Sequence, residues 1–171
     1  VPGEEDAVVT IGLEHTRYDL HGEYDLPLGP FSKVRASAGY ADYQHVEFED
    51  GTPGTQFLSD GWEGRLELVQ PERDGWQGAV GFQGLSRNFD AIGEEALVPR
   101  TKITEAGVFT LQRLDRETWG VEGGLRVDTR KLDSLKGERD FTNLSASAGA
   151  FLRPADGWFL ALSASAVSRA P

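Results

Sequence analysis

The 171-residue sequence predicts an all-β fold, an antiparallel up-and-down transmembrane β-barrel of eight strands over residues 1–171. Apolar and polar side chains alternate in eight stretches, and most of these stretches are ten or more residues long. Because successive side chains of a strand point to opposite faces, this alternation indicates strands with one apolar and one polar face. About ten residues is also the length with which a tilted strand crosses a bilayer.

The strands follow one another with alternating short and long connections. We predict strands at residues 9–26, 33–48, 57–70, 76–88, 103–113, 119–131, 144–152 and 158–166. The fifth strand is hard to phase, because Ala106 and Val108 compete with Phe109 and Leu111 for the apolar face. Short turns at one end and long loops at the other are the layout of outer-membrane barrels.

Aromatic residues near the strand ends favour a bilayer over a soluble core. Large aromatic rings sit well at the boundary between lipid and water. The predicted interface aromatics are Phe31, Trp62, Trp76, Trp119 and Trp158. We therefore expect lipid or detergent to contact the apolar face. A net charge of −11 argues against a nucleic acid as partner, since phosphate contacts need clustered basic residues.

The polar face carries charged residues in the middle of strands, beside many glycines and serines. If the apolar face meets lipid, these charges line the interior and pair across strands, because buried charges are tolerable when paired. The predicted lumen ion network consists of Glu23, Arg35, Glu63, Arg65, Glu67, Glu122, Arg126 and Asp128. We expect the eighth strand to pair with the first, which closes a tight interior without an open pore.

His15 and His45 lie on the polar faces of the first two strands, with Glu47 nearby. A turn near Gly29 and Pro30 places the two histidines opposite each other. Two imidazoles and a carboxylate are a ligand set for zinc, which makes a metal site a hypothesis; otherwise these are polar residues near a rim. No residues are spaced as a catalytic set, so an enzyme is not expected, and no other cofactor is indicated.

Several segments resemble the barrel of bacterial TonB-dependent receptors: RYDLHGEYDLPLGPF, the GEEALVP loop and the closing SRAP at 168–171. The resemblance spans nearly the whole chain and lies closest to zinc-uptake receptors. It implies a 22-stranded outer-membrane barrel with a plug domain and a TonB box. Neither the plug nor the box is found in this sequence. The chain is therefore expected to be a fragment of such a barrel, or an engineered eight-stranded derivative, that cannot transport by itself.

Two other functions fit the alternation pattern. A soluble, lipocalin-like barrel turns its apolar faces inward and binds a small apolar ligand. An adhesive barrel binds a partner through its acidic long loops. Solubility in plain buffer would support the first alternative, and loss of binding on loop deletion would support the second.

Overall fold

In a computed structural model that describes residues 8–93 and 98–169, the chain forms one antiparallel sheet of eight strands in sequence order. The strands are β1 Val9–Leu28, β2 Phe31–Glu49, β3 Thr52–Arg73, β4 Trp76–Ile92, β5 Thr101–Asp115, β6 Trp119–Ser134, β7 Gly137–Leu152 and β8 Leu160–Val167. This confirms the all-β, up-and-down architecture. No helix in the described part of the chain is long and apolar enough to cross a membrane.

Two of the three predicted long loops are much shorter than expected, because the strands continue through them. β2 and β3 are joined by Asp50 and Gly51, which both have positive φ angles of 48° and 79°. That conformation is typical of the two-residue hairpin turn that Asp-Gly favours. β6 and β7 are joined by only Leu135 and Lys136. The connection from β4 to β5 remains long, and its residues 94–97, within the GEEALVP segment, lie outside the described residues.

The sheet is open, which corrects the predicted closure. Within the described residues β1 pairs only with β2 and β8 only with β7, and every position of both edge strands is exposed. The interior of a closed eight-stranded barrel is only wide enough for side chains to fill. The polar face here carries long arginine side chains on β1, β2, β3, β5 and β6, which need a wider curve.

The two faces of the sheet differ in burial, and this identifies the concave side. Along β6, from Leu125 to Ser134, apolar-face positions are exposed while polar-face positions are half-buried in strict alternation. The two buried apolar side chains, Phe109 and Phe151, also lie on the polar face. Since side chains converge on the inside of a curved sheet, the polar face is concave and the apolar face convex.

This assignment settles the phase of β5. Phe109 and Leu111 share the concave face with Arg126 and Gly124, and Val108 lies opposite Val127 on the convex face. Phe109 is 9% exposed and Val108 is 57% exposed. The strand was difficult to phase from sequence because it is apolar on both faces.

Candidate functional site

Ion pairs connect β1, β2 and β3 on the concave face. Glu23 receives hydrogen bonds from Lys33 and from Arg35, whose Nε lies 2.8 Å from the carboxylate. Arg17 bridges two acids, with Nη2 at 2.8 Å from Asp19 and 3.0 Å from Glu63. These side chains are close to half exposed, so each pair contributes little to stability; together they order a polar surface.

The centre of the concave face is organised around Phe109 and Gln83. The guanidinium of Arg65 lies 4.0 Å above the Phe109 ring centroid, and that of Arg126 lies 5.8 Å from it. Both arginines donate to Oε1 of Gln83, at 3.3 and 3.1 Å. Each arginine also holds a carboxylate two residues further along its own strand: Arg65 binds Glu67, and Arg126 binds Asp128. The cluster thus connects four strands, β3 to β6.

A second cluster stands at the end of the sheet where β5 meets β6 and where β7 ends. Asp115, the last residue of β5, accepts hydrogen bonds from Arg113 and from Arg153, both at 2.8 Å. Asp115 lies at the level of the interface residues Trp76 and Trp119, and the guanidiniums of Arg153 and Arg113 lower the pKa of its carboxyl group to about 2. Arg153 also donates to the Arg116 carbonyl and lies 4.7 Å from the Phe151 ring centroid. These contacts fasten the start of the connection between β7 and β8.

Each of the eight residues in the predicted network has an ion-pair partner in the structure; Glu122 has the longest contact, 3.8 Å to Arg113. Many of the pairs run along one strand rather than across strands. An arginine and an acid two residues apart recur at 17 and 19, 65 and 67, 113 and 115, and 126 and 128. Sequence reasoning missed Arg17, Asp19, Arg113 and Asp115 as members, although this two-residue spacing was a signal for them.

The structure does not place His15 opposite His45. His15 pairs with Tyr43, and His45 pairs with Leu13, so the predicted register is wrong by two residues. One residue of this difference arises at the turn, where Leu28 pairs with Phe31. The other arises at a bulge between Asp25 and Leu28, a segment that contains Pro27, which cannot donate a ladder hydrogen bond.

Zinc binding at these histidines stays a prediction. Nε2 of His45 lies 3.9 Å from Glu47, while its Nδ1 is 2.9 Å from the Tyr43 hydroxyl. No group of three histidine, aspartate or glutamate side chains arranged to hold a metal occurs in residues 8–93 and 98–169.

Four of the predicted interface aromatics lie at one end of the sheet. Phe31, Trp76 and Trp119 begin β2, β4 and β6, and Trp158 lies just before β8. Trp62 instead lies in the middle of β3, because that strand is 22 residues long.

Trp62 belongs to a second aromatic row with Tyr18 and Tyr40, which pair across β1, β2 and β3 on the convex face. Ser86, the β4 partner of Trp62, follows Trp76 by ten residues, which is about 33 Å along a strand. With a tilt of about 40°, the two aromatic levels are about 25 Å apart, the height of the apolar band of outer-membrane barrels.

An open antiparallel sheet with an exposed apolar convex face, aromatic rows about 25 Å apart and a charged concave face has the features of part of a transmembrane β-barrel of the outer-membrane type. The chain belongs to the TonB-dependent receptors: residues 3–171 match the family model "TonB dependent receptor-like, beta-barrel". A comparison with curated proteins gives no match.

Solved structures of larger proteins share this fold. The copper transporter OprC matches with a TM-score of 0.73 and 17% identity, over 88% of this chain and 29% of that one. The FrpB iron transporter from Neisseria meningitidis, F3-3 variant, matches with a TM-score of 0.76 and 15% identity, over 92% and 29%. Its F5-1 variant in the apoprotein form gives 0.73 and 16%, over 93% and 29%. The chain thus spans less than a third of the length of these proteins.

Proposed function

We propose that this chain is an eight-stranded sector of an outer-membrane barrel that serves TonB-dependent uptake of a metal chelate or a similar nutrient. In this proposal the convex face contacts lipid and the concave face lines the water-filled interior. The observation that carries the proposal is the difference between the faces on the inner strands: Val108 and Leu125 on the convex face are 57% and 56% exposed, while the concave face is covered by ion pairs.

The family match supports the uptake function, because TonB-dependent receptors are transport proteins. The resemblance to zinc-uptake receptors and the contact of His45 with Glu47 favour a metal-containing cargo within that class. Two proteins of similar structure are a copper transporter and an iron transporter, and these metals are the cargoes of those proteins.

Single cysteines can test which face meets lipid, since the sequence contains no native cysteine. Leu144 lies on the convex face, and the next residue, Ser145, lies on the concave face opposite Arg126. We expect a fluorophore on Leu144→Cys to be quenched by brominated lipid and a fluorophore on Ser145→Cys to be quenched by iodide. The adjacent pair is its own control, because both labels share one strand and one depth.

The reverse quenching pattern, or a stable monomer in plain buffer, would support the soluble, lipocalin-like alternative and refute a membrane barrel. Uptake is tested separately: deletion of the gene should abolish energised accumulation of a metal chelate, and loss of TonB should have the same effect. Unchanged accumulation in both strains would contradict the uptake function while leaving the barrel fold intact.

A further inference from the structure

A row of aromatic rings crosses β1 to β4 on the concave face, at the end away from the short turns. The ring row consists of His15, Tyr43, His45, Phe57 and Phe89. Neighbouring ring centroids in this order are 6.0, 5.6, 4.5 and 6.4 Å apart. These separations are within the range of favourable aromatic contacts.

The contacts within the ring row fix the position of Tyr43. Its hydroxyl hydrogen-bonds Nδ1 of His45 at 2.9 Å, and His45 in turn stacks on Phe57 with an interplanar angle of 28°. Tyr43 and His45 are only partly exposed. The Tyr43 ring is therefore already oriented, and a ligand that stacks on it has little side-chain entropy to remove.

Directly beside the ring row, a hollow of about 280 Å³ opens on the concave face. His15 and Tyr43 form one wall. Its floor includes the small residues Gly39, Ala41 and Gly61, and the side chains of Arg17 and Asp19 lie close above Gly39. Four residues pair side by side across β1 to β4 at this floor, in the order Arg17, Ala41, Gly61 and Arg87. The two arginines are therefore at the two ends of this set of cross-strand partners.

The two arginines differ in what they can offer a ligand. Arg17 is already held by Asp19 and Glu63, which compensate its charge. Arg87 is exposed and is one of the residues that line the hollow. A guanidinium binds carboxylates well because its planar set of donors matches two carboxylate oxygens.

We propose that the hollow between the ring row and Arg87 binds a planar aromatic carboxylate, whose ring stacks on Tyr43 and whose carboxylate meets Arg87. The inference rests on the proposed function in that the concave face must be open to water. The inference adds to the proposed function the chemical class of the group that the concave face recognises. The volume is just below the usual range for ligand pockets, which fits one or two fused rings.

Three probes separate the contribution of ring stacking to affinity from the contribution of the carboxylate charge: benzoate, cyclohexanecarboxylate and benzamide. Each is titrated into the intact protein in detergent micelles and followed by ligand-observed NMR, which measures dissociation constants in the millimolar range. We expect benzoate to bind about threefold to tenfold more tightly than cyclohexanecarboxylate, because only benzoate can stack. Benzamide should bind more weakly than benzoate by about tenfold, because it lacks the charge.

Two variants assign the contacts. Arg87→Gln should weaken benzoate about tenfold and leave benzamide unchanged. Tyr43→Leu should remove the preference for benzoate over cyclohexanecarboxylate. Arg139→Gln is the matched control, because it removes an exposed arginine from the distant hairpin of β6 and β7. It should change neither the affinity for benzoate nor the preference for benzoate over cyclohexanecarboxylate.

Equal affinities for benzoate and cyclohexanecarboxylate, an Arg87→Gln variant with unchanged benzoate binding, or no saturable binding would each overturn the inference. Labelled cysteines at 144 and 145 are measured in the same micelle preparation. If their quenching pattern is as expected and benzoate does not bind, the ligand inference fails alone. If the pattern is reversed, the proposed function fails as well.

Discussion

Gly81 offers a sharp test of how the concave face is packed. A Cβ atom at this position would lie 2.3 Å from Cζ of Phe109 and 2.7 Å from the carbonyl oxygen of Leu66. The Phe109 ring cannot retreat easily, because it is buried and the Arg65 guanidinium covers it at 4.0 Å. The Leu66 carbonyl belongs to the neighbouring strand β3 and cannot move without disturbing the hydrogen bonds between β3 and β4. We therefore expect Gly81→Ala to destabilise the sheet.

The magnitude follows from two opposing effects. Overpacking a filled site costs about 1–3 kcal/mol, and replacing a strand glycine by alanine gains about 0.5–1 kcal/mol in chain entropy. Gly64→Ala is the matched control, since the nearest atom to its Cβ would be 3.8 Å away. We expect Gly64→Ala to be neutral or slightly stabilising. Gly81→Ala should unfold more easily than this control by about 1–3 kcal/mol.

The assay is urea unfolding from lipid vesicles, followed by tryptophan fluorescence and by gel mobility. With a urea dependence of about 2 kcal/mol per molar, the two glycine variants should differ by about 0.5–1.5 M in midpoint. The double variant Gly81→Ala with Phe109→Leu should recover part of the loss caused by the ring contact, which a double-mutant cycle measures. Identical midpoints for Gly81→Ala and Gly64→Ala would refute the packing argument.

Three further predictions concern polar contacts. Gln83→Leu removes the acceptor that two guanidiniums share and should lower the free energy of unfolding by about 1–2 kcal/mol. Gln77→Leu at the sheet end serves as the control. Equal urea midpoints for the two variants would contradict the bridging role of Gln83. Asp115→Asn should be less stable than wild type above about pH 4, and this difference should vanish as the pH falls towards 2. The reason is that the folded state lowers the carboxyl pKa from 3.8 to about 2. A difference in urea midpoint that does not change with pH would contradict this linkage. His45→Ala should weaken zinc binding in a calorimetric titration if the predicted metal site exists, whereas equal zinc affinity in both proteins would eliminate it.

The fold was predictable from sequence because two-residue alternation determines both strand and face. The same alternation placed Glu23 and Arg35 on one face, where the structure pairs them at 2.8 Å. The length of the connections was less predictable. The Asp-Gly at 50–51 indicates a tight hairpin, but the charged residues around it suggested a loop, and a strand that extends past the membrane carries the same charges as a loop.

Register was the least predictable feature, and it determined the candidate site. The turn and a bulge near Pro27 each shift the pairing of β1 by one residue, and together they move the partner of His15 from His45 to Tyr43. A two-residue shift keeps every side chain on its face, so the ion network was insensitive to it. A site built from particular cross-strand neighbours depends on it entirely, which is why the ring row was visible only in the structure.

The open sheet also follows from side-chain size on the concave face. Closing eight strands would bring the guanidiniums of Arg17, Arg65, Arg113 and Arg126 into an interior only wide enough for packed side chains. The carboxylates that now bind them along their own strands would meet one another there, and exposed pairs would become buried pairs with a desolvation penalty of several kcal/mol per ion. Small residues on β7 and β8 relieve this crowding on only one side of the sheet. Long inward-facing arginines on most strands are therefore a sequence sign of a wide barrel, because the length of these side chains, and not only the pairing of their charges, limits how tightly the sheet can curve.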